Sequence, residues 1–415
     1  MEGETSWVSH YLDDSWTETI TITNTNTITN KTEFDSFSEI IEEGYCKDVS
    51  LDLILPDDLL ERILAYLPIG SIFRAGCVCK RWNEIVSSRR FFSNVLSQKP
   101  WYFMFTSSEE PIGYAYDPLL KKWHGIDLPC IETSSWFVAS SCGLVCFMDN
   151  DTRTSVFVCN PITRSFKKII DPPGLRFSDY TSFSMFFNRK SKSYLITIVK
   201  SKQVPDNFHQ WEVSIHVYDS GTMTWTTTVS EVLNGWRGGV ESVICDGVLY
   251  FMIHSTIGGG LGETRHGVVT YNLTTRSSDG LLTRNYLAVP CSLTCGRLMN
   301  LRERLVMVGG IGKQDRTDII KGIGIWVLVK NGREWFEVSR MPHRYFQGFG
   351  EFDDVFASSG NDDLVYVQSY GGPALLVFDM SLKQWRWSQK CPVTKRFPLQ
   401  LFSGFCFEPR LEICP

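Results

Sequence analysis

The sequence lacks the features that would place the chain in a membrane, in a secreted compartment or on a nucleic acid. No run of about 18 apolar residues is present, and residues 1–14 are acidic, whereas a signal peptide has a basic start and an apolar centre. The basic clusters are short, such as Arg89-Arg90 and Lys121-Lys122, whereas a nucleic-acid ligand requires a concentrated Lys/Arg surface. We therefore expect an intracellular protein, in the nucleus or the cytoplasm, that binds neither membrane nor DNA or RNA directly.

Patterns that hold metals or perform catalysis are also missing. The 13 cysteines are scattered through apolar runs, where a reduced thiol behaves as a small core residue. Two CxxxC pairs, Cys142 with Cys146 and Cys291 with Cys295, have no further His or Cys at zinc spacing. The seven histidines do not cluster along the chain. The sequence therefore predicts no cofactor, no metal and no catalytic residue.

The chain does contain enough apolar sequence for a large fold, and its charge is unevenly distributed. It has 415 residues, 43% of them hydrophobic, and a net charge of −5. Residues 1–50 hold eleven acidic and two basic residues and include the tract TITITNTNTITN. This composition predicts a disordered acidic tail, rich in Thr and Asn, over residues 1–50. The remainder is mildly basic, with 35 acidic and 39 basic residues.

Residues 51–96 have the pattern of short helices. The segment 56–58 suits a first helical turn, and a run rich in Leu and Ile follows until Pro68 ends the helix. Ser71 is predicted to cap a second helix, and a third is predicted over 81–86. A unit of about 40 residues is too small to bury this much apolar surface alone. Either a neighbouring domain or a partner protein must cover the rest.

After Lys99 the sequence changes to short apolar runs that contain a repeat. Four segments have an Asp or Asn followed six residues later by an aromatic residue: AYDPLLKKW, VCNPITRSF, VYDSGTMTW and VFDMSLKQW. Two weaker copies, VLVKNGREW and TYNLTTRSS, keep only one of these features. Each copy is predicted to be a hairpin, in which the acid or amide makes the turn and the aromatic side chain packs into the next unit.

The spacing of these copies predicts a propeller. Successive copies are 43 to 59 residues apart, which leaves room for four strands in each interval. Six such units over residues 100–413 indicate an all-β propeller of six blades. The C-terminal run LFSGFCFEPRL is predicted to complete the blade that begins near 101–105. An array of β-sandwiches would also give regular strands, but it does not favour a unit of this length.

Two sets of motifs resemble a known family. The elements Leu55-Pro56, Leu67-Pro68-Ile69 and Val78-Cys79-Lys80-Arg81-Trp82 resemble the F-box. The pairs Gly309-Gly310 and Gly371-Gly372, with the aromatic positions of the repeats, resemble kelch motifs. Together they resemble a plant F-box/kelch-repeat protein. The resemblance implies a multidomain fold, with a short all-α F-box over 51–96 and an all-β kelch-like β-propeller over 100–413.

The same resemblance implies a function. The chain would be the substrate-recognition subunit of an SCF (Skp1-cullin-F-box) E3 ubiquitin ligase, with a role in plant organ development. Its F-box would bind a Skp1-type adaptor, which links to cullin and RING subunits, and its propeller would bind a target protein. Because such a receptor only positions its target, it needs no catalytic residue. The residues expected at the adaptor are Leu55, Pro56, Leu59, Ile63, Leu67, Pro68, Ile69, Ile72, Val78, Trp82 and Ile85.

The target is expected on the loops that lead into the innermost strands, because those loops surround the mouth of a propeller. The candidates are aromatic residues and arginines: Trp136, Tyr180, Trp236, Arg237, Arg344 and Tyr345. The mild positive charge of the body favours an acidic target, and the acidic tail could compete for the same surface.

Three other functions are alternatives to a substrate-recognition subunit. The main alternative is a kelch scaffold outside any ligase, whose helical segment docks on its own propeller. A copper oxidase of kelch fold needs clustered His and Tyr ligands, which the sequence does not show. A ligase with a catalytic cysteine needs a nearby His motif, and none accompanies Cys77, Cys79, Cys142, Cys159 or Cys406.

Overall fold

The computed structural model describes most of the chain after residue 54. The described residues are 55–106, 112–128, 136–149, 155–173, 178–257, 265–275, 282, 286–312, 319–329, 334–349, 356–369, 374–392 and 402–415. The tail predicted over residues 1–50 and the pair Gly371-Gly372 lie outside them. The described chain divides into a helical unit that ends at Leu96 and a β unit that begins at Ser97.

The helical unit has four helices among its described residues: α1 (Asp57–Ala65), α2 (Ile69–Gly76), α3 (Lys80–Val86) and α4 (Arg89–Asn94). The prediction that Ser71 caps α2 is wrong. The helix begins after Pro68, whose carbonyl accepts hydrogen bonds from the N–H groups of Ser71 and Ile72 at 2.8 and 3.0 Å. The sequence prediction missed α4, although Ser88 signals its start: the Ser88 hydroxyl accepts a hydrogen bond from the N–H of Phe91 at 3.1 Å.

In the β unit, the described residues form six antiparallel sheets of four strands, and these sheets are the blades of a propeller. Blade 1 contains β4 (Trp136–Ser141), β5 (Leu144–Asp149), β6 (Val156–Cys159) and β7 (Phe166–Ile169). Blade 2 contains β8 (Tyr180–Asn188), β9 (Ser193–Val204), β10 (Asn207–Asp219) and β11 (Thr224–Asn234). Blade 3 contains β12 (Trp236–Cys245), β13 (Val248–Ser255), β14 (His266–Asn272) and β15 (Tyr286–Ala288).

The remaining blades follow the same order. Blade 4 contains β16 (Leu293–Leu301), β17 (Arg304–Gly312), β18 (Ile320–Leu328) and β19 (Trp335–Arg340). A short helix, α5 (His343–Phe349), connects it to blade 5, which contains β20 (Phe356–Asn361), β21 (Leu364–Ser369), β22 (Leu375–Asp379) and β23 (Gln384–Trp387). Blade 6 contains β24 (Phe402–Phe407), β1 (Trp101–Thr106), β2 (Ile112–Asp117) and β3 (Lys122–Asp127).

Blade 6 joins the two ends of the β unit. The last strand, β24, pairs antiparallel with β1 along its whole length, from Trp101 opposite Phe407 to Thr106 opposite Phe402. This pairing confirms the prediction that the C-terminal run completes the blade that begins near residue 101. The innermost strands of the six blades are β4, β8, β12, β16, β20 and β24, and they surround a central channel.

The repeated Asp and Asn residues make hairpin turns, as predicted. The Asp379 carboxylate accepts hydrogen bonds from the N–H groups of Ser381 and Leu382, both at 2.9 Å. Equivalent turns form at the other copies, at Asp117, Asn160, Asp219 and Asn272. A side chain that accepts from the N–H two residues ahead fixes the turn locally. The polar residue of the repeat is therefore structural.

The repeated tryptophans join neighbouring blades, but in the opposite direction to the one predicted. The Trp123 indole N–H donates to the carbonyl of Gln389 at 2.9 Å, and that of Trp225 to the carbonyl of Ile170 at 2.8 Å. Trp335 and Trp385 make the same kind of contact, to Ala288 and Ser339. Each acceptor belongs to the preceding blade of the ring, not to the following one. The aromatic residue therefore anchors each blade to the blade before it.

Candidate functional site

One side of α1 is apolar and exposed. Leu59, Ile63 and Tyr66 follow one another at i, i+4 and i+7, which places them on one side of a helix, and they are 47%, 52% and 74% exposed. The opposite side carries Leu60 and Leu64, which are buried. The helix is thus apolar on both sides, and only one side is needed for its own core. We call Leu59, Ile63 and Tyr66 the α1 stripe.

Polar contacts hold α1 in place from the other helices. Arg81 of α3 forms an ion pair with Asp57 at 2.7 Å. Asn94 of α4 donates a hydrogen bond from its side-chain amide to the Glu61 carboxylate at 2.6 Å. Neither contact involves the α1 stripe. The position of the helix is therefore set without the exposed apolar residues.

The structure divides the residues predicted to contact the adaptor by their accessibility. Pro56, Leu59, Ile63 and Val78 are exposed, and Leu55, Leu67, Pro68, Trp82 and Ile85 are half-buried. Ile69 and Ile72 are 0% and 1% exposed. Both side chains are buried in the core of the helical unit, so their contact with an adaptor stays a prediction. The sequence reasoning missed Tyr66, although its spacing from Ile63 and Leu59 could have revealed it.

The residues predicted to bind a target lie on one side of the propeller, which we call the upper face. It is the side on which the innermost strands begin. Trp136 and Tyr180 are the first residues of β4 and β8, and Trp236 and Arg237 are the first two of β12. Arg344 and Tyr345 lie in α5, which leads toward β20. Four of the six therefore begin innermost strands and two precede one, and their role in binding a target stays a prediction.

Several of these side chains make structural contacts. The Trp136 ring lies 6.1 Å from that of Phe147 within blade 1, and the Trp236 ring lies 5.5 Å from that of Tyr286 within blade 3. The Tyr345 hydroxyl donates a hydrogen bond to the carbonyl of Trp385 at 2.8 Å. Aromatic residues placed like these contribute to packing whether or not a target binds. The two arginines are the more informative members of the set.

Arg237 has an unusual environment on the upper face. Its guanidinium carbon lies 3.7 Å from the centre of the Tyr180 ring, at the distance of a cation–π contact. His254 lies directly opposite it on β13, and His266 lies opposite His254 on β14. The two imidazole rings are 4.6 Å apart in an edge-to-face arrangement. The fold therefore brings together two histidines that are not close in the sequence.

The pKa values of His254, His266 and Arg237 are all lowered in this environment. Burial is the main cause that lowers the pKa of His254 to about 3 and that of His266 to about 4, and neighbouring positive groups, Arg237 among them, lower both further. Burial also lowers the pKa of Arg237, against an opposing effect of Tyr180. At neutral pH both imidazoles are therefore uncharged and Arg237 carries the positive charge.

The central channel is a second candidate site. Its cavity has a volume of about 1080 Å³ and is lined by all six innermost strands. Arg297 lies in its wall and contacts both neighbouring blades, with an ion pair to Glu241 at 2.8 Å and hydrogen bonds to the carbonyl of Phe356 at 3.2 and 3.3 Å. Burial raises the pKa of Glu241, against the lowering effect of Arg297. These contacts tie the innermost strands of blades 3, 4 and 5 together.

The described residues offer little for metal or thiol chemistry. No group of three or more His, Cys, Asp or Glu among them could hold a metal ion. Burial raises the pKa of the Cys142 thiol and raises that of Cys406 strongly. These thiols are therefore protonated at neutral pH, and a nucleophilic cysteine needs the thiolate. Within the described ranges, no helix has both the length and the apolar character needed to cross a membrane.

Two family models match the chain. The F-box domain matches residues 53–94, which contain all four helices of the helical unit. The F-box associated beta propeller domain matches residues 131–345. That match covers blades 1 to 4 and ends within α5. The first match lies within the helical unit, and the second lies within the β unit but does not include blades 5 and 6.

Curated proteins of similar sequence agree with these matches. An F-box/kelch-repeat protein of Arabidopsis thaliana is 61% identical, and the comparison covers 100% of each chain. F-box only protein 6 of the same plant is 28% identical over 91% of this chain and 78% of its own. Protein UNUSUAL FLORAL ORGANS, also from Arabidopsis thaliana, is 24% identical over 86% of this chain and 85% of its own.

Proposed function

Because this chain belongs to the F-box/kelch-repeat proteins of plants, we propose that it is the substrate-recognition subunit of an SCF E3 ubiquitin ligase. Its helical unit binds a Skp1-type adaptor, and through it the cullin and RING subunits. Its propeller binds the protein to be ubiquitinated. The receptor itself performs no chemistry, since holding a target lysine near the conjugating enzyme raises its effective concentration.

The observation that carries this proposal is the α1 stripe. Three large apolar side chains are exposed on one side of a short helix whose own core lies on the other side. A contiguous exposed apolar surface on a soluble protein marks an interaction site. An amphipathic helix that presents anchors at i, i+4 and i+7 suits a partner with a complementary apolar groove.

Adaptor binding tests the proposal directly. In the double variant Leu59→Asp/Ile63→Asp, two charges replace apolar side chains that are 47% and 52% exposed. Burying each of these side chains in an interface contributes about 1.5 kcal/mol or more. We therefore expect the Kd of the full-length chain for a purified Skp1-type adaptor to rise by at least about 100-fold by calorimetry.

A matched control distinguishes the loss of a direct contact with the adaptor from a general loss of folding. Leu119 is 58% exposed in the turn between β2 and β3, and Leu119→Asp makes the same chemical change in the β unit. This variant should bind the adaptor like wild type, and all variants should keep the wild-type circular dichroism. If the wild-type protein does not bind the adaptor, the proposed ligase function is wrong and the non-ligase kelch scaffold is favoured. Undiminished binding by the double variant would remove the α1 stripe from the contact.

We further propose that the protein acts in plant organ development, in the nucleus or the cytoplasm. This proposal rests on sequence similarity to plant F-box proteins, one of which is named UNUSUAL FLORAL ORGANS. Proximity labelling in plants, with the F-box intact and deleted, tests both parts. Proteins that accumulate only in the deletion are the expected targets, and the labelled proteins report the compartment.

A further inference from the structure

Arg237, His254, His266 and Tyr180 form a compact group on the upper face, which we call the Arg237 cluster. Three of its members face one another across consecutive strands β12, β13 and β14. Directly opposed residues of an antiparallel sheet lie on the same face and interact. Tyr180 comes from the neighbouring blade and stacks on the guanidinium. The group thus joins blades 2 and 3.

The positive charge of Arg237 has no negative partner among the described residues. Its hydrogen bond to the carbonyl of Gly238, at 3.4 Å, is long, although a guanidinium has five N–H donors. The comparably buried Arg297 and Arg410 each form ion pairs with glutamates, at 2.8 and 2.6 Å. A ligand that supplies a negative charge would therefore stabilise the guanidinium in its partly buried position.

The neighbours of Arg237 add hydrogen-bond donors rather than competing anions. Both imidazoles are uncharged at neutral pH, and each neutral ring carries one N–H group. Within the described part of the chain, no side chain or backbone group forms a hydrogen bond to either ring. The nearest acidic residue along the chain from Tyr180 is Asp179, and its carboxylate accepts a hydrogen bond from the N–H of Gln203 at 2.8 Å.

A projecting hairpin borders the cluster. Strands β9 and β10 continue beyond Tyr180, and their extension carries Trp211, whose ring is 5.7 Å from that of Tyr180. The buried indole N–H of Trp211 has no hydrogen-bond partner among the described residues. Phe208 on the same extension is 78% exposed. Phe208 thus shares its strand extension with Trp211, which packs against the tyrosine that stacks on Arg237, and both aromatic residues and arginines are enriched in protein-binding surfaces.

We propose that the Arg237 cluster binds an anionic side chain of the target protein, either a carboxylate or a phosphorylated residue, while Phe208 contacts an apolar residue beside it. The planar guanidinium can hold two oxygens of such a group at once, and the stacked Tyr180 ring fixes its orientation. This inference rests on the proposed function, since it assigns a chemical class to the target of the receptor.

The test uses the full-length chain bound to its adaptor and three probes. The probes are a 12-residue peptide with Glu at alternate positions, the same peptide with Gln in place of Glu, and inorganic phosphate. NMR of selectively labelled histidines follows His254 and His266, and fluorescence anisotropy measures peptide affinity. We expect the Glu peptide to shift both histidine signals and the Gln peptide to shift neither. A shift with phosphate but not with the Glu peptide would assign the site to phosphorylated residues.

An arginine outside the candidate set provides a matched control for mutation. Arg304 is exposed at the start of β17 and is not among the residues predicted to bind a target. Arg237→Gln should weaken binding of the anionic probe at least tenfold, and Arg304→Gln should leave it unchanged. Arg237→Lys keeps the charge without the planar fork and should give an intermediate affinity, which guards against a folding defect in Arg237→Gln.

The outcomes separate this inference from the proposed function. If neither anionic probe shifts the His254 and His266 signals in wild type, or if Arg237→Gln and Arg304→Gln weaken binding equally, the inference is overturned. Adaptor affinity is measured on the same samples and should not change with Arg237→Gln. Leu59→Asp/Ile63→Asp should lose the adaptor and still bind the anionic probe.

Discussion

The helical unit and the propeller arrange their apolar residues differently. The helical unit exposes large apolar side chains close together on α1. The propeller packs apolar cores between its blades, links the blades through tryptophan N–H groups, and closes the ring by pairing β24 with β1. The apolar side chains that it exposes, such as Leu119, Phe166 and Phe208, lie in three different blades. The helical unit therefore leaves one apolar surface available for another protein, whereas the propeller uses its apolar core mainly to hold its blades together.

The largest expected effect comes from opening the ring. Deletion of residues 402–415 removes β24 and leaves one edge of β1 unpaired, while its other edge still pairs with β2. An unpaired strand edge promotes aggregation, and the blade loses its innermost strand. We expect the near-ultraviolet circular dichroism of the propeller to lose its cooperative thermal transition, while the helical unit still binds the adaptor. A deletion variant that keeps the wild-type transition would show that closure is not what stabilises the propeller.

A smaller effect distinguishes the tryptophan copies of the repeat from the phenylalanine copy. Trp123 is 1% exposed and donates to the preceding blade, whereas Phe166 holds the same repeat position and is 54% exposed. Trp123→Ala should reduce the free energy of unfolding by about 3–5 kcal/mol, and Phe166→Ala by less than about 1 kcal/mol. Denaturant titration of the propeller signal measures both. Equal losses would contradict the anchoring role of the indole.

The smallest expected effect is a loss of stability at low pH that the propeller shows and the helical unit does not. Residues 55–96 contain no histidine, whereas the propeller buries His216 and His266 and half-buries His254. Burial lowers the pKa of His216 to about 4, His254 to about 3 and His266 to about 4. Below pH 6.5 these histidines become protonated in the unfolded chain but stay neutral in the folded chain. The free energy of unfolding therefore falls as the pH falls from about 6.5 toward 4. Each histidine should contribute about 1 kcal/mol of this loss at pH 5.5.

Thermal unfolding at pH 7.5 and 5.5 measures this dependence. The propeller transition should move to lower temperature at pH 5.5, and His254→Gln/His266→Gln should reduce the shift between the two conditions. His209→Gln, on an exposed residue of blade 2, serves as the control and should behave like wild type. An identical propeller transition at both pH values would contradict the burial of these imidazoles.

Periodic features could be predicted from the sequence, and contacts between distant residues could not. The Asp117–Trp123 type of repeat predicts the blades because turn chemistry and strand length are local. The direction of the tryptophan contact depends on how blades meet around the ring, which no local pattern encodes. The pairing of β24 with β1 was nevertheless predictable, because a ring of four-stranded units leaves an incomplete blade at each end.

The candidate sites show the same division. The exposed side of α1 was partly predictable, because helical spacing groups Leu59 with Ile63, but the burial of Ile69 and Ile72 depends on how the helices pack. Arg237 was a candidate from its position, whereas its grouping with His254 and His266 was not. Those residues meet only through the strand pairing of blade 3. The grouping of these side chains on the upper face therefore could be found only from the structure.

The pairing of the last strand with the first also has a consequence for how the protein is made. The F-box leaves the ribosome early, whereas blade 6 cannot be completed until residues 402–407 have been synthesised. A chain that terminates early therefore carries an adaptor-binding segment beside an unfinished ring. Synthesis of residues 402–407 thus decides whether a nascent receptor can present a target or only occupies an adaptor.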